Sequence, residues 1–265
     1  MSISFCSFAS GSSGNCYLIR KGETAILIDA GISGRRILKG LEETETPLEQ
    51  VKAVLVTHEH IDHVRSLKTL CKKLPQAMIF TNIGTWERIK ELVPPEKHLL
   101  FQTGDRFQIG DIGVQTFSIS HDAAEPVGYS MRSQGKTISV VTDTGYVTEE
   151  IYESIKDSDI LAIEANHDEN MLMVGRYPWN VKQRILGEKG HLSNTAAGKV
   201  LCRLLKERKT KPRCFLLAHL SGENNFPEMA YETVKNILAE ADFYLGPEIR
   251  VKTMGKDEIS DIYEA

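Results

Sequence analysis

VLVTHEHIDHVRSL, residues 54–67, is the stretch on which the reading of this chain turns. An apolar run at 53–56 leads directly into His58, His60, Asp62 and His63, so three of the chain's eight histidines fall within six residues. His58 and His60 are two apart on extended chain, so their imidazoles point the same way. Asp62 and His63 fall where a helix begins and can turn toward a second point nearby. Imidazole and carboxylate together suit zinc or another first-row cation. Four such groups exceed the needs of one open site and fall short of two, so further ligands must come from elsewhere.

The rest of the chain offers them at matching places. His121 follows the apolar run 112–119, Asp143 follows 137–142, and His219 lies in 214–220. Polar groups at strand ends, gathered on one rim of a sheet, are how α/β folds build sites. Alone, His121 or His219 reads as a structural histidine; as a set with the HxHxDH run, the residues point to metal.

Around these positions the pattern alternates short strands and amphipathic helices. Strands are expected at 3–8, 16–20, 25–29, 52–57, 77–80, 106–109, 112–119, 127–132, 137–142, 159–165 and 214–220, with a weak one at 249–252. Helices are expected at 34–43, 62–74, 83–93, 148–157, 194–208 and 227–240, and 166–190 reads as irregular. The order suggests two sheets with helices outside, in one α/β domain spanning 1–265.

Bulk properties set limits. A net charge of −4 over 265 residues carries no strong field for nucleic acid, though it leaves room for a local basic groove. Five scattered cysteines without a CxxC fit reduced thiols. The first residues show neither a basic leader nor a long apolar core, and no apolar run approaches membrane-spanning length, so the expected setting is the cytoplasm.

HEHIDH after a strand, preceded by LIDAG (27–31) and followed by His121, TDTG (142–145) and AHLS (218–221), resembles the metallo-β-lactamase superfamily. The resemblance implies an αββα four-layer sandwich with the site at one edge between the sheets. It implies that His58, His60 and His121 hold one divalent ion, that Asp62, His63 and His219 hold a second, and that Asp143 bridges them. Zinc or manganese would suit. Asp29 would brace the ligand loop. Aspartate rather than cysteine at 143 argues against a true β-lactamase.

Two metals name hydrolysis and little more, so other segments must choose the substrate. Glu164 in ILAIEANHDENML (160–172) and His191 in GHLSN (190–194) resemble the proton-donating dyad of the tRNA-maturing nucleases in this superfamily; the competing reading is ordinary loop polars. With Asp62, they are the catalytic candidates. His167 reads as exposed or substrate-facing. ASGSSGNC (9–16) places Ser12, Ser13 and Asn15 where a phosphate could meet a turn, and Ser193 reads as a helix N-cap that could also greet an anion. With YPW (177–179) and AHLSGENN, the set is similar to the WalJ/YycJ-type bacterial metallohydrolases. That likeness implies a 5′→3′ exonuclease acting on double-stranded DNA.

Basic segments add two candidates. Lys199 to Arg213 carries seven Lys/Arg against one Glu, which fits a phosphate-tracking stripe or, more commonly, a solvated helix face. Arg176, Lys182 and Arg184 mix with Tyr177 and Trp179, which suits base stacking and a lid equally. A small-molecule hydrolase acting on a cyclic phosphodiester or a lactone is the principal rival. A tRNA-processing RNase is disfavoured, because the chain has no Gly/Pro-rich inserted arm.

Overall fold

The computed structural model describes residues 2–207 and 213–265. The strands are β1 (Ser4–Ala9), β2 (Cys16–Lys21), β3 (Thr24–Ile28), β4 (Val51–Leu55), β5 (Met78–Thr81), β6 (His98–Leu100), β7 (Arg106–Ile109), β8 (Ile112–Ser118), β9 (Val127–Ser133), β10 (Lys136–Val141), β11 (Ile160–Glu164), β12 (Arg213–Ala218), β13 (Ile249–Thr253) and β14 (Tyr263–Glu264). The helices are α1 (Gly34–Glu43), α2 (Ile61–Val64), α3 (Leu67–Lys73), α4 (Ile83–Ile89), α5 (Glu149–Ile155), α6 (Glu169–Val174), α7 (Trp179–Leu186), α8 (Asn194–Glu207) and α9 (Pro227–Glu240).

Strand periodicity sorts the side chains into layers. One sheet runs β14-β1-β2-β3-β4-β5-β6 and the other β13-β12-β11-β10-β9-β8-β7. Phe5, Tyr17, Ile19, Ile26 and Leu55 of the first face Val114, Tyr129, Met131, Val140 and Leu216 of the second, forming a central core. The alternate residues Phe8, Leu18, Leu27 and Val54 turn outward onto Ile37 and Leu41 of α1, Leu70 of α3 and Ile89 of α4. On the far side Leu161, Ile163, Phe215 and Leu217 pack on Ile155 of α5, Leu201 of α8 and Leu238 of α9. The result is the helix–sheet–sheet–helix sandwich that the resemblance implied.

Both sheets carry a parallel block, β3-β4-β5-β6 and β10-β11-β12-β13. Their C-terminal ends meet at one rim. There Asp29, Asp143 and His219 take positive φ, at 62°, 58° and 54°. Such left-handed turns cost roughly 1–3 kcal/mol each in non-glycine residues. Each large buried apolar side chain contributes roughly 1.5–3 kcal/mol, so the layered core readily carries this strain.

Several expectations change. The helix expected at 62–74 breaks at Arg65–Ser66, because Ser66 turns to the 30–32 loop: its N–H donates to Ala30 O (2.9 Å) and its Oγ–H to Ile32 O (2.6 Å). The helix expected at 83–93 ends at Ile89. The irregular 166–190 stretch contains α6 and α7. Strands β6 and β14 are too short to show a pattern. The last residue of the expected 194–208 helix lies outside the described residues, as does the 208–212 part of the basic stripe.

Candidate metal centre

The HxHxDH run leaves β4 and passes over the rim, held from below by Asp29. Thr57 donates to Asp29 through its N–H (Oδ1, 2.8 Å) and its hydroxyl (Oδ2, 2.9 Å). His63 Nδ1 donates to Asp29 Oδ2 at 2.7 Å. Thr57 Oγ1 also lies 3.0 Å from His58 Nδ1 and accepts from it, which frees Nε2 for the site. Gly31 is required because the loop presses on it: a β-carbon there would stand 1.5 Å from the Asp62 carbonyl oxygen.

Three side chains converge at the first point. His58 Nε2 and His60 Nδ1 are 3.0 Å apart, two ring nitrogens aimed at one spot. His121 joins them, with Nδ1 on the Gly190 carbonyl (3.2 Å) and Nε2 left for the centre. At the second point, Asp62 Oδ2 lies 3.4 Å from His63 Nε2 and 3.7 Å from His219 Nε2. Asp143 stands between the two. Its Oδ1 is 3.8 Å from His121 Nε2 and 3.4 Å from His219 Nε2, and its Oδ2 is 3.4 Å from His63 Nε2.

Asp143 Oδ2 and His219 Nε2 are buried without a hydrogen-bond partner among the described residues. Leaving such atoms unsatisfied costs about 1–3 kcal/mol each. Lone pairs aimed inward from an all-N/O set at ligand spacing fit a divalent cation.

Electrostatics agree. Burial opposes a charge on His219, but Asp143, Asp62 and Glu164 override it and lift its pKa to about 10. Burial likewise opposes charge on His63, and Asp29 and Asp143 raise it well above the ordinary imidazole range. Asp62 is held far below the carboxylate range despite its burial, by His219 and His63. His58 and His121 are lowered, chiefly by burial, and so offer neutral nitrogens. Buried imidazoles and carboxylates gathered this closely form a set that a divalent ion would complete by displacing the protons on His63 and His219.

Glu164 is fully buried at the end of β11 and accepts four hydrogen bonds. Oε1 takes His191 Nδ1 (2.8 Å) and His219 Nδ1 (2.7 Å); Oε2 takes the N–H of Thr144 (2.9 Å) and Leu192 (3.0 Å). Burial favours its neutral form, but the two histidines hold it well below the carboxylate range. His191 is raised in turn: burial opposes its charge and Glu164 prevails. Its side chain is 19% exposed, against 2% for His219, so it alone of the pair faces the mouth.

The sequence-expected substrate contacts separate. Ser12 and Ser13 are exposed on their turn, Arg176 is exposed, and Arg184 is exposed and paired at 2.5 Å with Asp122, the residue after His121. Asn15, Ser193 and Lys182 are turned inward: Ser193 takes the N-cap place the sequence predicts, whereas Asn15 and Lys182 do not face the substrate side as expected. Asn15 accepts from Gly11 N–H (3.0 Å) and sets its amide 3.2 Å from His63 Nε2. Ser193 is the N-cap of α8, accepting from Ala196 N–H (3.1 Å) and donating to Glu169 Oε1 (2.7 Å). Lys182 is buried because its ammonium donates to the Met173 carbonyl (2.7 Å), tying α7 to the end of α6. His167 is also buried, at 1% exposure, not open to substrate.

Some site residues carried no sequence signal strong enough to find them. Thr57 looked like the end of a strand. Glu59, the residue between the first two histidines, accepts from Ala124 N–H (2.8 Å) and so ties the ligand loop to the segment after His121. Asn194 and Asn225 hydrogen-bond each other (3.0 and 2.9 Å), joining the His191 segment to the turn after His219.

A sequence profile of the beta-lactamase superfamily domain matches residues 24–211. The chain belongs to the beta-lactamase superfamily. Within it, the chain is 37% identical over 251 residues to exodeoxyribonuclease YycJ of Bacillus anthracis, covering 93% of each. It is 36% identical over 262 residues to exodeoxyribonuclease WalJ of Streptococcus pneumoniae, covering 97% of this chain and 96% of that one. Among solved structures, the metallo-beta-lactamase fold protein YhfI of Bacillus subtilis superposes with a TM-score of 0.71 over 100% of both chains at 17% identity. Zn(2+)-bound PqqB of Methylobacterium extorquens gives 0.69 at 17% identity, over 97% of this chain and 99% of that one. These two share the superfamily's fold.

Proposed function

We propose that the chain is a two-metal nuclease that hydrolyses phosphodiester bonds at the 5′ end of duplex DNA, with residues 1–265 acting as one domain in the cytoplasm. The observation that carries the chemistry is the Glu164–His191 pair beside two complete ligand clusters. His191 lies outside the three-histidine and Asp62 clusters and groups instead with Glu164, His219 and Asp143; a buried carboxylate favours its protonated form and it faces the mouth. The choice of DNA is supported by the likeness to two proteins named exodeoxyribonucleases. Among the described residues, no helix is long and apolar enough to cross a membrane.

His58, His60 and His121 would hold one divalent ion and Asp62, His63 and His219 the other, with Asp143 placed to serve both. Zinc and manganese both suit the N/O set. When bound, the pair supplies Lewis-acid polarisation of the phosphodiester and of the attacking water. Asp62, held far below the carboxylate range by His219 and His63, stays ionised at neutral pH and would orient the attacking water. His191 gives its proton to the departing sugar oxygen from Nε2, while Glu164 fixes its Nδ1–H and ring plane. Ser12 and Ser13 lie exposed beside the centre, and Arg176 and Arg184 meet phosphates farther along the strand.

The test is cleavage of labelled duplex DNA, single-stranded DNA, RNA and bis-p-nitrophenyl phosphate in Mn²⁺ and in Zn²⁺. Duplex DNA shortened stepwise from its 5′ end is the expected result. Cleavage of the small ester alone would leave a small-molecule hydrolase instead.

A further inference from the structure

Beside the metal centre, on the same rim, lies a cavity of about 480 Å³ that none of the residues assigned above to metal, proton transfer or phosphate contact lines. It opens where β1, β12 and β13 end, and its size falls in the roughly 300–1,000 Å³ range of small-ligand sites. It shares a wall with the metal centre. Ser10 lines it, and Ser10 Oγ accepts the His219 N–H at 2.7 Å; Leu220 and Ser221, next in the chain, line it too.

The lining has two faces. Buried Leu220 and Met254 and the 43%-exposed ring of Phe226 make an apolar slot, with Ser221 and Asn225 as polar groups in its wall. Phe226 stacks on no other aromatic ring among the described residues, so one face is available. Lys256 crosses the mouth: its Cβ lies 3.3 Å from where a β-carbon on Gly11 would stand, and its Nζ 3.9 Å from the same point on Gly222. It has no carboxylate partner among the described residues, whereas its neighbour Asp257 is taken by Arg36 at 3.2 Å. Glu258 at the same mouth leaves the local field weak. That disfavours a bare phosphate site and fits a ligand held by stacking and one cation.

We infer that this cavity holds one unpaired nucleotide at the end of the strand being cut, its base against Phe226 and its phosphate toward Lys256. The inference rests on the nuclease reading for its substrate, and on continuity with the metal centre for its place. A flat aromatic face accepts any base, so the site selects for an unpaired end and not for sequence.

The test combines Phe226→Ala and Lys256→Gln with duplex DNA carrying either a normal or an abasic terminal nucleotide, after thermal melting shows that the variants fold. Equilibrium dialysis of the metal-loaded protein with a deoxynucleoside monophosphate runs in parallel. On normal ends Phe226→Ala raises KM about tenfold, the weight of one base stack. Wild-type protein shows the same loss on abasic ends, and the two losses do not add, because both remove one contact. Lys256→Gln raises KM on both kinds of end. The monophosphate binds the wild type about tenfold more tightly than Phe226→Ala. Unchanged KM in both variants, or losses that add, would overturn the inference. If wild-type protein cuts no DNA, the nuclease reading fails by itself; the cavity is then judged by dialysis, where binding that Phe226→Ala weakens upholds a nucleotide site and equal or absent binding rejects it.

Discussion

His191 and His219 lean on one oxygen: their Nδ1 atoms lie 2.8 and 2.7 Å from Glu164 Oε1. His219 also belongs to the Asp62 cluster, whereas His191 faces the mouth, so a single buried carboxylate sets both. Glu164→Ala therefore acts on metal and on proton transfer together. Metal affinity falls about 10–100-fold, as when a ligand loses its orienting partner, and turnover falls with it. His191→Ala keeps both metals. Its turnover drops about 10²–10⁴-fold on DNA and far less on bis-p-nitrophenyl phosphate, whose leaving group needs little protonation. Elemental analysis beside kinetics on the two substrates checks this. Metal loss in His191→Ala would make it a ligand.

Metal uptake opposes proton binding. With its pKa raised from 6.5 to about 10, His219 stabilises the folded metal-free protein most fully below pH 6.5, and that contribution is lost as pH rises toward 10. Metal affinity moves the other way, rising over the same window as the imidazole gives up its proton. Melting of the metal-free protein from pH 6 to 10, with metal titrations at the same points, should show the two trends crossing. Parallel trends would contradict the account.

Gly31→Ala tests the contact between the LIDAG turn and the ligand loop. A methyl group 1.5 Å from the Asp62 carbonyl oxygen must push that loop away. The expected loss is about 2–4 kcal/mol of stability, within the large-effect range for buried clashes, together with the ion held by Asp62. Denaturant unfolding and metal content measure both. A fully loaded variant of normal stability would show that the turn is not required.

Arg184 and Lys182 should part company. Arg184→Glu raises KM on DNA and lowers the salt slope by about 0.9 for one lost phosphate contact. Lys182→Met loses the bond to the Met173 carbonyl and lowers the melting temperature without changing that slope. Equal salt slopes for Arg184→Glu and wild type would remove Arg184 from the interface.

Lys182 also shows where the sequence is opaque. A lysine among polar neighbours reads as solvent-facing, and only the packing of α7 on α6 turns it inward. Those two helices were missed because each is short and its apolar residues are largely exposed, among them Val174 and Trp179; the Asp168 N-cap and Pro178 before Trp179 were the local signals. By contrast, both sheets were legible because their inner and outer faces alternate so regularly. The ligand positions were legible because His58, His121, Asp143 and His219 each come at or just beyond the end of such a strand. Thr57, Glu59 and Asn225 were not, since their roles are hydrogen bonds across the fold, invisible to periodicity.

Metal-dependent cleavage of DNA is the central claim, and stepwise reconstitution tests it most directly. The protein is stripped of metal, verified by elemental analysis, and returned to activity on 5′-labelled duplex DNA with measured equivalents of Mn²⁺ or Zn²⁺, beside Asp143→Asn. Activity should be absent at zero equivalents, rise to a plateau at two per chain, and stay low in Asp143→Asn. Undiminished cleavage by the stripped protein, or an Asp143→Asn variant matching the wild type in both stoichiometry and rate, would contradict it.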